Sequence, residues 1–206
     1  MREAAPKAAA KNDETQIVTA VKAFYVEYGH FPIGASQTTK DAYYGPGPIQ
    51  PSLSVTVVNM GSNALLIDVL RNNISGANAS MVKSLNPREI VFLDAPIAKN
   101  VSHPKSCVVP DGFPNAGIYF DPWGSPYNIL INASYSGTLP NPYADAPGGA
   151  ILKTGVIAWS FGKNGILGGG PRLNNDFTSE SGTSGSYYSK PGNTSTPSSG
   201  DVISWQ

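Results

Sequence analysis

Residues 7–32 read KAAAKNDETQIVTAVKAFYVEYGHFP, and this stretch decides the fold. It contains neither Gly nor Pro before Gly29. Its apolar residues recur at spacings of four, three and four, at Ile17, Val21, Phe24 and Tyr28. This spacing is typical of one stripe of an amphipathic helix. Gly29 and then Pro32 supply stop signals. The stretch therefore predicts a helix over residues 7–28 with one face in a core.

The chain upstream of Ile17 is rich in alanine, at Ala4, Ala5, Ala8, Ala9 and Ala10. Alanine favours helix but offers little apolar area to anchor it. We therefore expect further chain to precede this helix in the natural protein. No run of about 18 apolar residues occurs in the sequence, so none of it is predicted to span a membrane.

Downstream of the helix, residues 33–61 combine Gly and Pro with one β-branched run, and they predict a long loop with a short extended piece. A second helix is predicted from Ser62 to about Asn72, with Ser62 as its N-cap. We expect it to bury an apolar face formed by Leu65, Leu66, Val69 and Leu70. Asp68 and Arg71 would face solvent.

The second half of the chain predicts short strands between turns. Residues 86–92 are typical of a turn followed by an extended segment, and the turn DPWGSP at 121–126 precedes a strand at 127–131. Further strands are predicted at 155–161 and 202–205, with antiparallel pairing. The Gly-, Ser- and Asn-rich residues 163–200 predict a long flexible loop.

Composition excludes several classes of partner and site. Fourteen basic residues balance fourteen acidic ones, so no net field favours nucleic acid or anionic lipid. The lone Cys107 excludes an internal disulfide and a cysteine-based zinc site, and we interpret it as a small apolar residue. With 22 Gly, 18 Pro and 14% charged residues, much of the chain is predicted to be loop.

No enzyme signature emerges from the reactive side chains. His30 and His103 are the two histidines, and they form no metal-binding pair in the sequence. Ser125 and Ser160 do not stand in a Gly-x-Ser-x-Gly elbow. We therefore expect a chain that is not an enzyme and has no catalytic residues.

Five blocks of sequence stand in an order that resembles a known family. They are YVEYGHFP at 25–32, a Leu-rich helix at 62–72, DPWGSPY at 121–127, WSFGKNG at 159–165 and DVISW at 201–205. Together they resemble the major pseudopilins of type II secretion systems, which are type IV pilin-like proteins. The resemblance covers residues 7–206. The family's basic leader and early apolar helix with its glutamate have no counterpart here, so the resemblance implies a truncated chain.

The resemblance also implies the fold and its division. We expect a single α+β pilin-like domain over residues 1–206, in which the N-terminal helix packs on a small antiparallel sheet with long loops. The helix would occupy about 7–28, a loop and the second helix 33–75, and the sheet with its loops 86–206. In the family, the helix continues into an apolar half that sits in the membrane and then lines the filament.

A calcium loop lies between the last two strands in the family. Calcium prefers six to eight oxygen ligands, several of them carboxylates. Here Asn164 stands where the family has an aspartate, so a charged ligand becomes a neutral oxygen. Asp201 matches the terminal aspartate, and Asp176 or Glu180 in the insertion can substitute. The resemblance makes Asn164, Asp176 and Asp201 the candidate calcium ligands, and solvated loop residues are the alternative.

The resemblance implies a structural function. The chain would be the head of a subunit that polymerises into a periplasmic pseudopilus, held at the periplasmic face of the bacterial inner membrane by the helix that is missing here. Its partners would be copies of itself, minor pseudopilins and inner-membrane secretion components. No nucleic acid is expected. On the polar side of the first helix, Lys11, Glu14 and Lys22 are candidates for ion pairs between subunits.

Two other functions stay open. Aromatic and Asn-rich loops, around Tyr43 and Tyr44, Trp123, and Tyr187 and Tyr188, favour a carbohydrate- or surface-binding module of the adhesin type if these rings share one face. A subunit of a type IV pilus or a competence filament is a closer variant, because it shares the helix-plus-sheet architecture.

Overall fold

The computed structural model describes residues 4–34, 39–46, 56–142, 150–162 and 202–205. It is an α+β fold, as predicted, with a long N-terminal helix on a five-stranded sheet. The helices are α1 (Ala4–Tyr28), α2 (Ala64–Arg71) and α3 (Ala79–Leu85). The strands are β1 (Asp41–Tyr44), β2 (Val57–Asn59), β3 (Cys107–Val108), β4 (Tyr119–Phe120), β5 (Asn128–Ile131), β6 (Leu139–Pro140), β7 (Ile151–Leu152), β8 (Val156–Ser160) and β9 (Val202–Ile203).

The five strands of the main sheet follow the order β2-β1-β5-β8-β9. Antiparallel pairing is confirmed for β1 with β5, β5 with β8 and β8 with β9. The pairing of β1 with β2 is parallel, with Asp41 opposite Val57, so the expectation of a purely antiparallel sheet is wrong there. A parallel pair needs a connection of about a dozen residues, and residues 45–56 supply that length.

Helix α1 confirms the prediction closely. It ends at Tyr28 as expected, where Gly29 takes a positive φ of 71° and donates its N–H to the Tyr25 carbonyl. Ile17, Val21 and Phe24 are buried against the sheet. The helix packs mainly on β8 and β9, with α2 at its side. The long stripe thus joins the start of the chain to its last strands.

The second helix begins later than predicted and is capped differently. Asn63, rather than Ser62, is the residue before α2, and its side chain makes no capping hydrogen bond. Instead the Asn63 amide donates to the carbonyls of Tyr119 and Tyr127, and its oxygen accepts the Tyr119 N–H. A buried Asn therefore ties α2 to the segments that carry β4 and β5.

The predicted faces of α2 are only partly right. Leu66, Val69 and Leu70 are buried and Leu65 is half-buried. Asp68, expected in solvent, is buried, because the loop after the helix brings amide donors to its carboxylate. Asn72 ends the helix in the left-handed region, with φ of 54°.

Residues 86–92, predicted to form a turn followed by a short extended segment, form no strand, and α3 was not predicted. The N–H groups of Phe92 and Leu93 both donate to the Leu70 carbonyl, so this segment lies along the end of α2. Two small sheets, β3 with β4 and β6 with β7, flank the main one. The predicted flexible loop at 163–200 lies outside the described residues. Within the described ranges, no helix has the length and apolar character that crossing a membrane requires.

Candidate functional site: a carboxyl cluster beneath the first helix

The predicted calcium ligands Asn164, Asp176 and Asp201 lie outside the described residues, so their arrangement is untested. The described chain brackets them at Gly162 and Val202. Across the described ranges, no three His, Cys, Asp or Glu side chains converge as a metal site would require. Two acidic side chains of α1, Asp13 and Glu14, are nevertheless buried, and the Asp121 charge acts on Glu14. We call Asp13, Glu14 and Asp121 the carboxyl cluster.

Glu14 is the least expected member of the cluster. Predicted to lie on the polar side of α1, it has 0% of its surface exposed, so that prediction is wrong. Neither of its carboxyl oxygens accepts a hydrogen bond of normal geometry within the described chain. Burial raises the pKa of Glu14 well above its ordinary value. The Lys11 ammonium and the Ser160 backbone N–H oppose this rise only in part, and Asp121 and Asp13 add to it.

Asp13 is also buried, but it has a donor. The Tyr127 hydroxyl donates to its Oδ2 at 2.8 Å, and the Tyr119 ring packs edge-on against Tyr127 with centroids 5.1 Å apart. Burial raises the pKa of Asp13, and the tyrosine hydroxyls partly counter it. The pKa of Tyr127 is raised as well, mainly by burial and then by the Asp13 charge.

Asp121 holds the turn that the sequence predicted at 121–126. Its Oδ1 accepts the backbone N–H groups of Trp123, Gly124 and Ser125 at 2.8 to 2.9 Å. Its Oδ2 accepts the Ser160 hydroxyl at 2.5 Å, which fixes the turn to the end of β8. Burial raises the pKa of Asp121 in spite of these four donors.

Lys11 borders the cluster on α1. Its ammonium donates to the Ile203 carbonyl at 2.6 Å, which joins the helix to β9. Burial lowers the pKa of Lys11, and attraction to the Glu14 carboxyl partly offsets this. Three carboxyls thus share a buried site with one partly buried ammonium. Such a site can store a proton and couple its release to the docking of α1.

The carboxyl cluster was not predicted, although the spacing of residues along α1 contained a signal for it. Stepping back from Ile17 by three and four positions gives Glu14 and Asp13, and one further turn gives Ala10, which is also buried. The apolar stripe therefore continues into acidic residues. The prediction placed Glu14 on the polar side because charged side chains seldom lie in a core.

A second group of carboxyls lies at the end of α2. Asp68 accepts the Asn73 amide at 3.0 Å and the Asn78 amide at 2.8 Å. Asp111 accepts the same Asn73 amide at 3.2 Å and the Ser75 hydroxyl at 2.9 Å. We call Asp68 and Asp111 with these donors the amide-capped pair.

The aromatic residues predicted to form a binding face are not all exposed. Tyr43 and Tyr44 are buried in β1, because that strand lies inside the sheet. Trp123 is half-buried, and Tyr187 and Tyr188 lie outside the described residues. A different set of rings, Tyr25, Phe31 and Tyr135, forms an aromatic patch at the end of α1.

Within this aromatic patch the three rings contact one another, with centroids 4.7 Å apart for Tyr25 and Phe31, 5.5 Å for Phe31 and Tyr135, and 6.3 Å for Tyr25 and Tyr135. Tyr25 is 39% exposed and Tyr135 is 47% exposed. Tyr135 takes a positive φ of 56°, which is unusual for a bulky residue, and its hydroxyl accepts the Phe31 N–H at 3.3 Å. The patch is therefore held in place by both backbone and side chain.

Comparison of the chain with protein-family models, with curated proteins and with solved structures gave no match.

Proposed function

We propose that this chain is the head of a filament subunit of the pseudopilin type, which polymerises into a periplasmic pseudopilus for type II protein secretion. The observation that carries the proposal is the position of α1. Its buried stripe begins at Ala10 and runs to Phe24, whereas residues 4–9 are exposed or half-buried. The helix therefore extends past the core of its own head.

The dimensions of α1 support this proposal. Its 25 residues span about 37 Å, whereas the five residues of β8 span about 17 Å. A helix that outreaches its sheet has surface to bury against other chains. In the proposed filament, α1 contributes that surface next to the helices of neighbouring subunits.

The exposed face of α1 gives the proposed contact a definite position. Val26 is 84% exposed and adjoins the exposed Tyr25, while Lys22 is exposed one turn earlier. Of the three ion-pair candidates, Glu14 is buried, Lys11 is partly buried and Lys22 is exposed. An exposed apolar residue beside a lysine suits a helix–helix contact with a peripheral charge pair.

A gene deletion in the source bacterium tests the proposal. We expect the deletion to abolish export of the secreted proteins and complementation with the complete gene to restore it. Reading the DNA upstream of codon 1 should show a basic leader and an apolar segment with an early glutamate.

Val26→Glu should block filament formation without unfolding the head, whereas Ile151→Glu, at a residue that is 62% exposed on β7, serves as the matched control. Unchanged secretion after deletion contradicts the proposal.

The aromatic patch favours a second candidate function, binding of a carbohydrate. Exposed rings held in fixed positions can stack against the apolar face of a sugar. A glycan array with the purified chain tests this candidate, and Tyr135→Ala should abolish any binding seen. Ile97→Ala, at an exposed residue outside the aromatic patch, is the control. An array with no binding removes this candidate and leaves the filament proposal unchanged.

A further inference from the structure

Among the described residues, not every carboxyl oxygen of the carboxyl cluster accepts a hydrogen bond. Asp121 accepts four hydrogen bonds, and Asp13 accepts one from Tyr127. Glu14 is completely buried, and both of its oxygens are without a hydrogen-bond donor of normal geometry in the part of the chain that the structure describes. An ionised carboxylate in that position would be out of contact with bulk solvent and would accept no hydrogen bond of normal geometry from the described residues. A proton on Glu14 removes this cost.

We infer that Glu14 is a proton-operated lock, which holds α1 on β8 and β9 while its carboxyl is protonated and loosens the helix when the carboxyl ionises. The inference concerns a single head and does not rest on the proposed filament function. It commits to one ligand, a proton, and to one moving element, the α1 segment around residues 10–17.

Every element packed around Glu14 contributes to the balance of charge. Along α1, Lys11 favours the ionised form and Asp13 disfavours it. The Ser160 backbone N–H on β8 also favours the ionised form, and Asp121 in the turn disfavours it to a smaller extent. Tyr127 also faces Glu14, and the Glu14 charge raises the pKa of its phenol. From β9, Ile203 supplies a carbonyl that engages Lys11 rather than Glu14. Burial is the largest contribution and outweighs the attraction of Lys11 and Ser160, while Asp121 and Asp13 add smaller repulsions.

The direction of the pH effect follows from proton linkage. The folded head keeps the proton on Glu14 at pH values where the unfolded chain, with an ordinary glutamate, has lost it. Stability from this proton is fully present below the unfolded pKa and is lost as pH rises toward and through the raised folded pKa. Over that interval, the unfolding equilibrium constant rises by up to about tenfold per pH unit.

Urea unfolding of the purified chain between pH 5 and pH 9 tests the lock. The Glu14→Gln variant keeps the shape of a protonated glutamate but cannot ionise. We expect the wild-type chain to lose stability relative to this variant as pH rises, by up to about tenfold in the unfolding constant per unit. Glu27→Gln, which changes a surface carboxyl on the same helix that pairs with Arg88, should retain the wild-type pH slope. Parallel curves for wild type and Glu14→Gln overturn the inference.

Hydrogen exchange of the wild-type chain provides a readout that requires no variant. After correction for the intrinsic pH dependence of exchange, we expect protection of α1 residues 10–17 to fall with pH more steeply than protection of β5. A merely structural Glu14 would lower protection equally across the head or not at all. Equal pH dependence of α1 and β5 therefore also overturns the inference.

Discussion

The carboxyl cluster and the amide-capped pair solve the same problem in opposite ways. Each buries acidic side chains, and Glu14 at 0% exposure is as inaccessible as Asp68 at 2%. Asp68 receives two side-chain amides from the loop that follows its helix. Glu14 lies on α1 and accepts no hydrogen bond of normal geometry from the described residues. Burial alone therefore does not determine what a carboxyl does; the supply of donors decides it.

This difference predicts that removal of an acid will be costly where donors surround it and favourable where they do not. An acceptor that is withdrawn from several buried N–H groups leaves each of them unpaired. A buried carboxylate with no donor contributes no such bonds. Substitutions at Glu14 and at the donor-rich Asp68 and Asp121 should therefore differ in sign as well as in size.

The largest effect is expected at Asp121. Asp121→Ala leaves three backbone N–H groups of the turn and the Ser160 hydroxyl without their acceptor, and we expect a loss of about 3 to 4 kcal/mol in the free energy of unfolding. Urea denaturation measures it. Asp94→Ala, at an exposed position, is the control and should change stability by less than about 0.5 kcal/mol. A loss below about 1 kcal/mol for Asp121→Ala would mean that the four hydrogen bonds to Asp121 contribute little to stability.

At the amide-capped pair, Asp68→Ala should cost about 2 to 3 kcal/mol, because the Asn73 and Asn78 amides lose a buried acceptor. Thermal and urea unfolding both report it. Asp68→Asn retains one acceptor oxygen and should recover part of the loss. If the two variants are equally unstable, the charge rather than the hydrogen bonds supports this site.

Glu14 should respond with the opposite sign. Glu14→Met preserves volume and helix propensity, and we expect it to stabilise the head by about 1 to 2 kcal/mol at pH 8. The gain should shrink as pH falls, because protonation of the wild-type carboxyl removes the buried charge. A loss of stability at pH 8 would show that Glu14 receives a net favourable interaction from Lys11.

The smallest effect is expected from a single hydroxyl. Tyr127→Phe removes the donor to Asp13 and should cost about 1 kcal/mol in unfolding free energy. Tyr44→Phe is a matched control, since the Tyr44 hydroxyl is buried without a hydrogen-bond partner among the described residues. That control should be neutral or slightly stabilising. Equal losses in both variants would mean that ring packing, not the hydroxyl, accounts for the change.

Much of the framework was predictable because local patterns specify it. The stripe from Ile17 to Phe24 predicted α1, and the apolar runs before and after the calcium-loop candidates predicted β8 and β9. Strand β1 was missed because DAYY is short and stands in a Gly- and Pro-rich region. Its strand conformation comes from two partners far away in sequence, β2 and β5.

The candidate site was harder to predict than the frame around it. Charged residues on a helix are expected in solvent, and this rule misplaced both Glu14 and Asp68. The spacing of α1 does place Glu14 on the apolar stripe, whereas the burial of Asp68 depends on the Asn73 and Asn78 amides, which no helical periodicity contains. The turn at 121–126 was predicted from its own sequence, yet the link from Asp121 to Ser160 crosses 39 positions of chain and required the structure.

The contact of Lys11 with the Ile203 carbonyl spans 192 positions of the sequence. During synthesis, a ribosome that adds about 5 to 20 residues per second has released α1 roughly 10 to 40 seconds before β9 emerges. The amphipathic stripe of α1 therefore stays incompletely covered for that interval, open to a chaperone or to the wrong chain. Helix α1 can complete its packing only after β8 and β9 have both been synthesised.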